Sequence, residues 1–136
     1  MIGECRNVVY LSRIFRPEDW PRFIESRAFE RKWSRLGLTD GDLALVQKMI
    51  MSDPKRAPVV RGTGGMRKLR FGDRKSGRGK SGAFRVYYAY FPTYGIVFLA
   101  TVFGKNEADD LSDADKVALT SLVEIVEAQL GSGMIQ

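Results

Sequence analysis

The apolar segment at residues 96–103 constrains the fold of this 136-residue chain more than any other feature of the sequence. Its eight residues read IVFLATVF, and none of them carries a charge. An apolar run of this length, rich in β-branched and aromatic residues, is typical of a strand that is covered on both faces. We therefore expect residues 96–103 to form a central strand, with the rest of the chain folded around it.

Further strand patterns precede this segment at residues 23–25, 66–71 and 84–91. The last two are rich in aromatic or alternating side chains and are bounded by Gly-rich or Pro-containing turns. Because the connections between the last three strands are short, we expect these strands to pair antiparallel.

Three helical patterns complete the chain. The first follows from the apolar spacing between Phe29 and Trp33 and ends at Gly37. The second begins at Thr39 and the third at Ser112, each with an aspartate three residues later as in a capping box. The element order predicts an α+β domain at residues 21–136, β-α-α-β-β-β-α, with a curved, mainly antiparallel sheet, helices on one face and water on the other. We expect residues 1–20 to be an extension, in which only residues 8–11 resemble a strand.

Positive charge is concentrated in one part of the sequence. Residues 61–85 contain nine Lys or Arg against one acid, whereas the chain from residue 106 onward carries seven acids against one lysine. A basic segment of this density attracts polyanions, of which nucleic acid is the commonest. A basic surface that serves only solubility is the alternative that charge leaves open.

The missing residue types narrow the chemistry. The chain contains no histidine, which removes the commonest general base and the commonest metal ligand, so we expect no metal and no cofactor. Its one cysteine, Cys5, cannot form an internal disulfide and favours a reducing, cytoplasmic location. No segment approaches the roughly 18 apolar residues of a membrane span, and residues 1–20 do not resemble a secretory signal.

The strand patterns predict a cationic site. Lys68 and Arg70 share one side of their strand, since strand side chains alternate, and Arg85 shares a side with Tyr87 on the next strand. If the register aligns these residues with Lys105, four cations surround a phosphate and stabilise a pentacoordinate transition state. An RNA-binding face without catalysis explains the same pattern equally well.

Two other motifs fail on inspection. The segment GRGKSG at residues 77–82 resembles a phosphate-binding P-loop, but the required first glycine is replaced by Arg74 and a strand follows instead of a helix. We expect this segment to be a basic hairpin loop that closes over a polyanion. The aspartates between residues 109 and 115 lack calcium-loop spacing, and helix capping explains them more simply.

Taken together, the segments GTGGMRKLR at residues 62–70, GRGKSG at 77–82, RVYY at 85–88 and GKNE at 104–107, with DLS at 110–112, resemble the RelE/HigB toxins of bacterial type II toxin–antitoxin systems. The resemblance covers roughly residues 21–130. It implies a microbial RNase fold and a ribosome-dependent, metal-independent mRNA endonuclease, in which the ribose 2′-hydroxyl attacks the adjacent phosphate. It also implies a cognate antitoxin with a helix-turn-helix, as in HigA-like proteins, with the ribosome and mRNA as the other partners.

The resemblance assigns roles residue by residue. The implied catalytic residues are Lys68, Arg70, Lys80, Arg85 and Lys105, and the implied contacts to RNA or ribosome are Arg67, Arg74, Lys75, Arg78, Tyr87 and Asn106. Arg70 stands where many relatives have a lysine proposed as general base, and an arginine stays protonated. Proton abstraction would then involve Lys68, Lys80, a tyrosine or ribosomal RNA. A gyrase inhibitor of the ParE kind is the alternative within the same superfamily.

Overall fold

The computed structural model describes residues 2–4, 20–72, 84–104, 107 and 110–133, with backbone only for residues 2–4. Within these residues the chain forms five strands and three helices. They are β1 (Ile2–Glu4), β2 (Arg22–Ser26), α1 (Arg27–Arg35), α2 (Asp40–Ser52), β3 (Arg67–Phe71), β4 (Phe84–Phe91), β5 (Ile96–Phe103) and α3 (Asp113–Gly131). From residue 21 onward the element order matches the predicted β-α-α-β-β-β-α series.

Capping side chains start the helices where the sequence predicts them. The Thr39 hydroxyl accepts a hydrogen bond from the backbone of Asp42, whose carboxylate in turn accepts from the Thr39 amide, which completes a capping box. Ser112 and Asp115 repeat the arrangement at α3. These caps satisfy amides that have no partner within the helix, so each helix has a defined first turn.

The sheet is mixed and mainly antiparallel, with the order β1-β2-β5-β4-β3. Strand β5 lies at its centre, as its apolar sequence predicts, and pairs parallel with β2 and antiparallel with β4. A bulge between Tyr87 and Tyr88 leaves Ala100 without an opposite residue, and the Ala100 carbonyl accepts a 2.6 Å hydrogen bond from the Ser26 hydroxyl. The strand β1 pairs antiparallel with β2, so part of the predicted extension belongs to the sheet. The strand-like residues 8–11 lie outside the described part of the chain.

The prediction that all helices lie on one face of the sheet is wrong. Helices α1 and α2 cover one face, where Trp33 and Ile50 pack with Val97 and Leu99. Helix α3 covers the other face, where it packs against alternate residues of the same strands. The residues of α3 in this second core are Leu119, Val123, Val126 and Leu130. Because β4 and β5 present apolar side chains on both sides, an open face would leave about 1.5–3 kcal/mol unrealised for each large apolar residue.

No helix in the described ranges is long and apolar enough to cross a membrane.

Candidate nucleic-acid interface

The predicted alignment of cations on β3 and β4 is present. Arg70 lies directly opposite Arg85, and Lys68 lies directly opposite Tyr87. Directly paired residues of an antiparallel ladder share one face of the sheet, which here is the α3 face, with Cα atoms about 5 Å apart. Lys68 is half-buried and Arg70 is exposed, so both side chains reach solvent at the edge strand.

Arg85, in contrast, is an interior residue with only 1% of its surface exposed. Its Nη2 atom donates to the Gly104 carbonyl at 2.9 Å and to the Glu107 carbonyl at 3.1 Å. Charge-assisted hydrogen bonds to two carbonyls fix the backbone that leaves β5. The structure therefore does not place Arg85 where a phosphate could contact it, and gives it the role of holding the backbone at Gly104 and Glu107.

Contacts from α1 and β5 stabilise the same turn. The Glu107 carboxylate accepts a 2.7 Å hydrogen bond from the Gly104 amide and forms a 3.5 Å ion pair with the Lys32 ammonium. That ammonium also lies 3.9 Å from the centre of the Phe103 ring, a cation–π contact. A Cβ atom on Gly104 would come within 2.8 Å of the end of the Leu36 side chain, so that side chain would have to move to admit a larger residue. The sequence identified Gly104 and Glu107 only as members of a motif. Their structural roles were not predicted, because their partners come from distant elements.

Tyr87, which the sequence offered as a base-stacking residue, is 1% exposed. Its ring packs edge-to-face on Phe103, with 5.5 Å between the ring centres. In this conformation the ring is therefore enclosed and offers no surface on which a base could stack.

The electrostatic surroundings of Tyr87 reach beyond the two arginines. Burial raises the pKa of the Tyr87 hydroxyl, Arg85 and Arg70 act to lower it, and Asp110 and Asp115 raise it again. The hydroxyl therefore stays protonated at neutral pH, so it can donate a hydrogen bond but is a poor base. Carboxylates near the start of α3 thus lie within electrostatic range of the cationic face, which neither the charge count nor the strand patterns predicted.

Arg67 lies on the opposite face from Lys68 and Arg70, because side chains alternate along β3. Its Nη1 atom donates to the carbonyls of Lys55 and Ala57, both at 2.8 Å. These bonds tie the α2–β3 connection to the edge strand. A contact between Arg67 and RNA therefore competes with a structural role.

Six of the predicted residues lie outside the described part of the chain, so their predicted roles stay predictions. They are Arg74, Lys75, Arg78, Lys80, Lys105 and Asn106. The basic hairpin loop at residues 77–82 lies in the same undescribed region.

Among the residues that the structure describes, no cluster of three or more acidic or cysteine side chains could hold a metal ion. No protein-family model matches the chain. The candidate site therefore depends on the geometry of β3, β4 and the turn after β5.

Proposed function

We propose that this chain is the toxin of a type II toxin–antitoxin pair, an endoribonuclease that cuts mRNA on the ribosome and so inhibits translation. The observation that carries the proposal is the β3–β4 register, which sets Arg70 opposite Arg85 and Lys68 opposite Tyr87 on one face. Lys68 and Arg70 both reach solvent on that face, and neighbouring cations at the surface attract an anion. The series of motifs shared with RelE/HigB toxins favours an RNA phosphodiester as that anion.

The described cations divide the work. Lys68 and Arg70 reach solvent, and in this proposal they contact the phosphate and stabilise the charge that develops as it becomes pentacoordinate. Arg85 is a positioning residue, since it holds the backbone at Gly104 and Glu107, which flank Lys105 in the sequence.

The proposed reaction needs no metal and no cofactor. The ribose 2′-oxygen bonds to phosphorus, the bond from phosphorus to the 5′-oxygen breaks, and the products are a 2′,3′-cyclic phosphate and a free 5′-hydroxyl. The 2′-hydroxyl proton goes to a base, and the departing 5′-oxygen takes up a proton. The raised pKa and the burial of the Tyr87 hydroxyl make it a poor base for the first transfer. Lys68, Lys80 and ribosomal RNA are the groups left for the first transfer.

The proposal includes a partner. A cognate antitoxin, with a helix-turn-helix of the HigA-like kind, would cover the basic face or keep it off the ribosome in the cytoplasm. The charge on residues 61–85 supports an acidic surface on that antitoxin.

The test is a translation reaction with purified protein, in which primer extension reads mRNA ends with and without ribosomes. We expect cuts within codons only when ribosomes are present, and loss of these cuts in the double variant Lys68→Gln/Arg70→Gln. Arg31→Gln on α1 is the matched control, because Arg31 is exposed and lies outside β3 and β4. Cuts that persist in the double variant would refute the assignment.

A basic RNA-binding module without catalysis is the second candidate. The burial of Arg85 and Tyr87 favours it, since both are removed from the surface that RNA would touch. Such a module would bind RNA with a strong salt dependence, and each lysine or arginine removed from β3 would lower the salt slope by about one. Growth arrest with neither RNA cleavage nor RNA binding would exclude both candidates and favour gyrase inhibition.

A further inference from the structure

A cavity of about 440 Å³ lies between the end of α2 and the edge strand β3. It opens on the α1/α2 side of the sheet, because its wall includes Ile50 and Tyr88 from that core. Its volume falls within the range of roughly 300–1,000 Å³ that is usual for small-molecule sites. The proposed catalytic face lies on the other side of β3, so the edge strand separates the two.

The walls of the cavity are mainly apolar. Met49, Pro58, Leu69 and Tyr88 line it. The Tyr88 hydroxyl is already used, since it donates to the Pro54 carbonyl at 2.7 Å. A ligand that fills this space therefore contacts hydrophobic surface. A flat aromatic ring buries more of that surface than a charged, extended ligand does.

The side chains beside the cavity carry mainly positive charge. Arg56 lines it with one acid, Asp53, while Lys68 and Arg70 border it from β3 with their side chains on the α3 side. The Arg67 guanidinium adds a fixed positive charge near the wall, because it is bonded to the Ala57 carbonyl. This charge favours an anionic group at the mouth of the cavity.

The edge of β3 supplies directional polar groups. The Lys68 amide donates to the Pro58 carbonyl at 3.0 Å, so Lys68 turns its backbone away from β4. In an antiparallel ladder alternate residues face the same way, so the N–H and C=O of Arg70 also point outward from the sheet. Arg70 lines the cavity, and its backbone places a donor and an acceptor side by side there.

We propose that this cavity binds one nucleotide of RNA, with the base between Met49 and Pro58 and the phosphate at Arg56. The backbone of Arg70 reads the edge of the base, while the side chains of Lys68 and Arg70 hold the next phosphate on the α3 side. The inference rests on the proposed function, since the bound strand would pass around the edge of β3 into the catalytic face. A cavity of this volume is too small for a protein helix, whose diameter with side chains is about 10 Å.

The experiment is an NMR titration of the isolated protein with the four 5′-nucleoside monophosphates, observing the methyl groups of Met49, Ile50 and Leu69. Exposed Ile125 on α3 is the reference methyl group that should not move. Ribose 5-phosphate and inorganic phosphate serve as probes without a base, and we expect them to bind at least tenfold more weakly than the best nucleotide.

Two variants separate the base from the phosphate. Arg56→Gln should weaken nucleotide binding about tenfold, the effect of losing one charge-assisted contact to phosphate, whereas exposed Arg31→Gln should not change it. Ser52→Leu narrows the mouth of the cavity and should abolish the shifts, since Ser52 is an exposed lining residue.

Three results would overturn the inference. The first is that the NMR signals of the cavity methyl groups do not shift at millimolar nucleotide. The second is that ribose 5-phosphate binds as tightly as the nucleotides. The third is that an acidic peptide of Asp and Glu displaces nucleotides and binds more tightly. Failure of the proposed function is distinguishable, because this titration needs no ribosome. Nucleotide binding without ribosome-dependent cuts would refute the proposed nuclease activity and support nucleotide binding in the cavity. Ribosome-dependent cuts together with unchanged nucleotide affinity in Arg56→Gln would support the nuclease activity and refute nucleotide binding in the cavity.

Discussion

Replacing Arg85 with alanine should lower the free energy of unfolding of this protein. It should not act simply by removing a catalytic group. The side chain is 1% exposed, and its Nη2 atom donates to two carbonyls, at Gly104 and Glu107. A hydrogen bond to a charged group contributes about 1.5–3 kcal/mol, and Arg85→Ala removes both of these bonds. We therefore expect Arg85→Ala to lower the free energy of unfolding by roughly 3–5 kcal/mol.

Arg70→Ala is the matched control, because Arg70 lies directly opposite Arg85 and carries the same charge. Both substitutions remove the same repulsion between like charges, but Arg70 is exposed and should change stability by no more than about 0.5 kcal/mol.

Urea unfolding followed by circular dichroism measures the difference. With a slope of about 1–3 kcal/mol per molar urea for a small domain, the Arg85→Ala midpoint should fall by about 2 M. If its free energy of unfolding stays within about 1 kcal/mol of that of Arg70→Ala, the guanidinium does not anchor the turn and the reasoning is refuted. The result also decides how a loss of RNA cleavage in Arg85→Ala is interpreted.

Three further predictions concern local features. Burial raises the pKa of Tyr88 to about 12, so the folded state keeps a proton that the unfolded chain loses above its usual value of 10.0. The urea midpoint should therefore fall between pH 10 and 12, and less steeply in Tyr88→Phe. Gly104→Ala should lower stability by about 1–3 kcal/mol through its contact with Leu36, and shortening Leu36 to valine in the same chain should recover part of that loss. Ser112→Ala should cost about 1 kcal/mol by removing the cap of α3, whereas Ser132→Ala at the other end should cost little.

Each of these has a contrary outcome. An equally steep fall of the urea midpoint in Tyr88→Phe would show that another group titrates. Equal losses for Gly104→Ala with and without the shortened Leu36 would show that the two residues do not couple. Equal melting temperatures for the Ser112 and Ser132 variants would show that α3 does not depend on its capping box.

The helix starts and the strands were predictable because their signals are local. The caps at Thr39 and Ser112 form with aspartates three residues away. The apolar sequence of β5 by itself indicates that the strand is buried. The alignment of Lys68 with Arg70 likewise follows from alternation within one strand. Such patterns need no knowledge of distant parts of the chain.

The sheet position of α3 and the burial of Arg85 were not predictable in the same way. The apolar stripe of α3 shows that one side of the helix is buried, but both faces of β4 and β5 are apolar and the stripe does not say which one it covers. The strand pattern of Arg85 is the same for an exposed residue and for one enclosed by the turn after β5.

By itself, the sequence determines an α+β chain with a central apolar strand, capped helices and a basic segment, because periodicity, capping and charge act over a few residues. Only the tertiary structure decides that α3 covers the second face, that Arg85 holds Gly104 and Glu107, and that a cavity lies beside β3. These features depend on contacts between residues far apart in the chain. Strand register and side-chain packing set such contacts, and neither can be predicted from a single segment of the sequence.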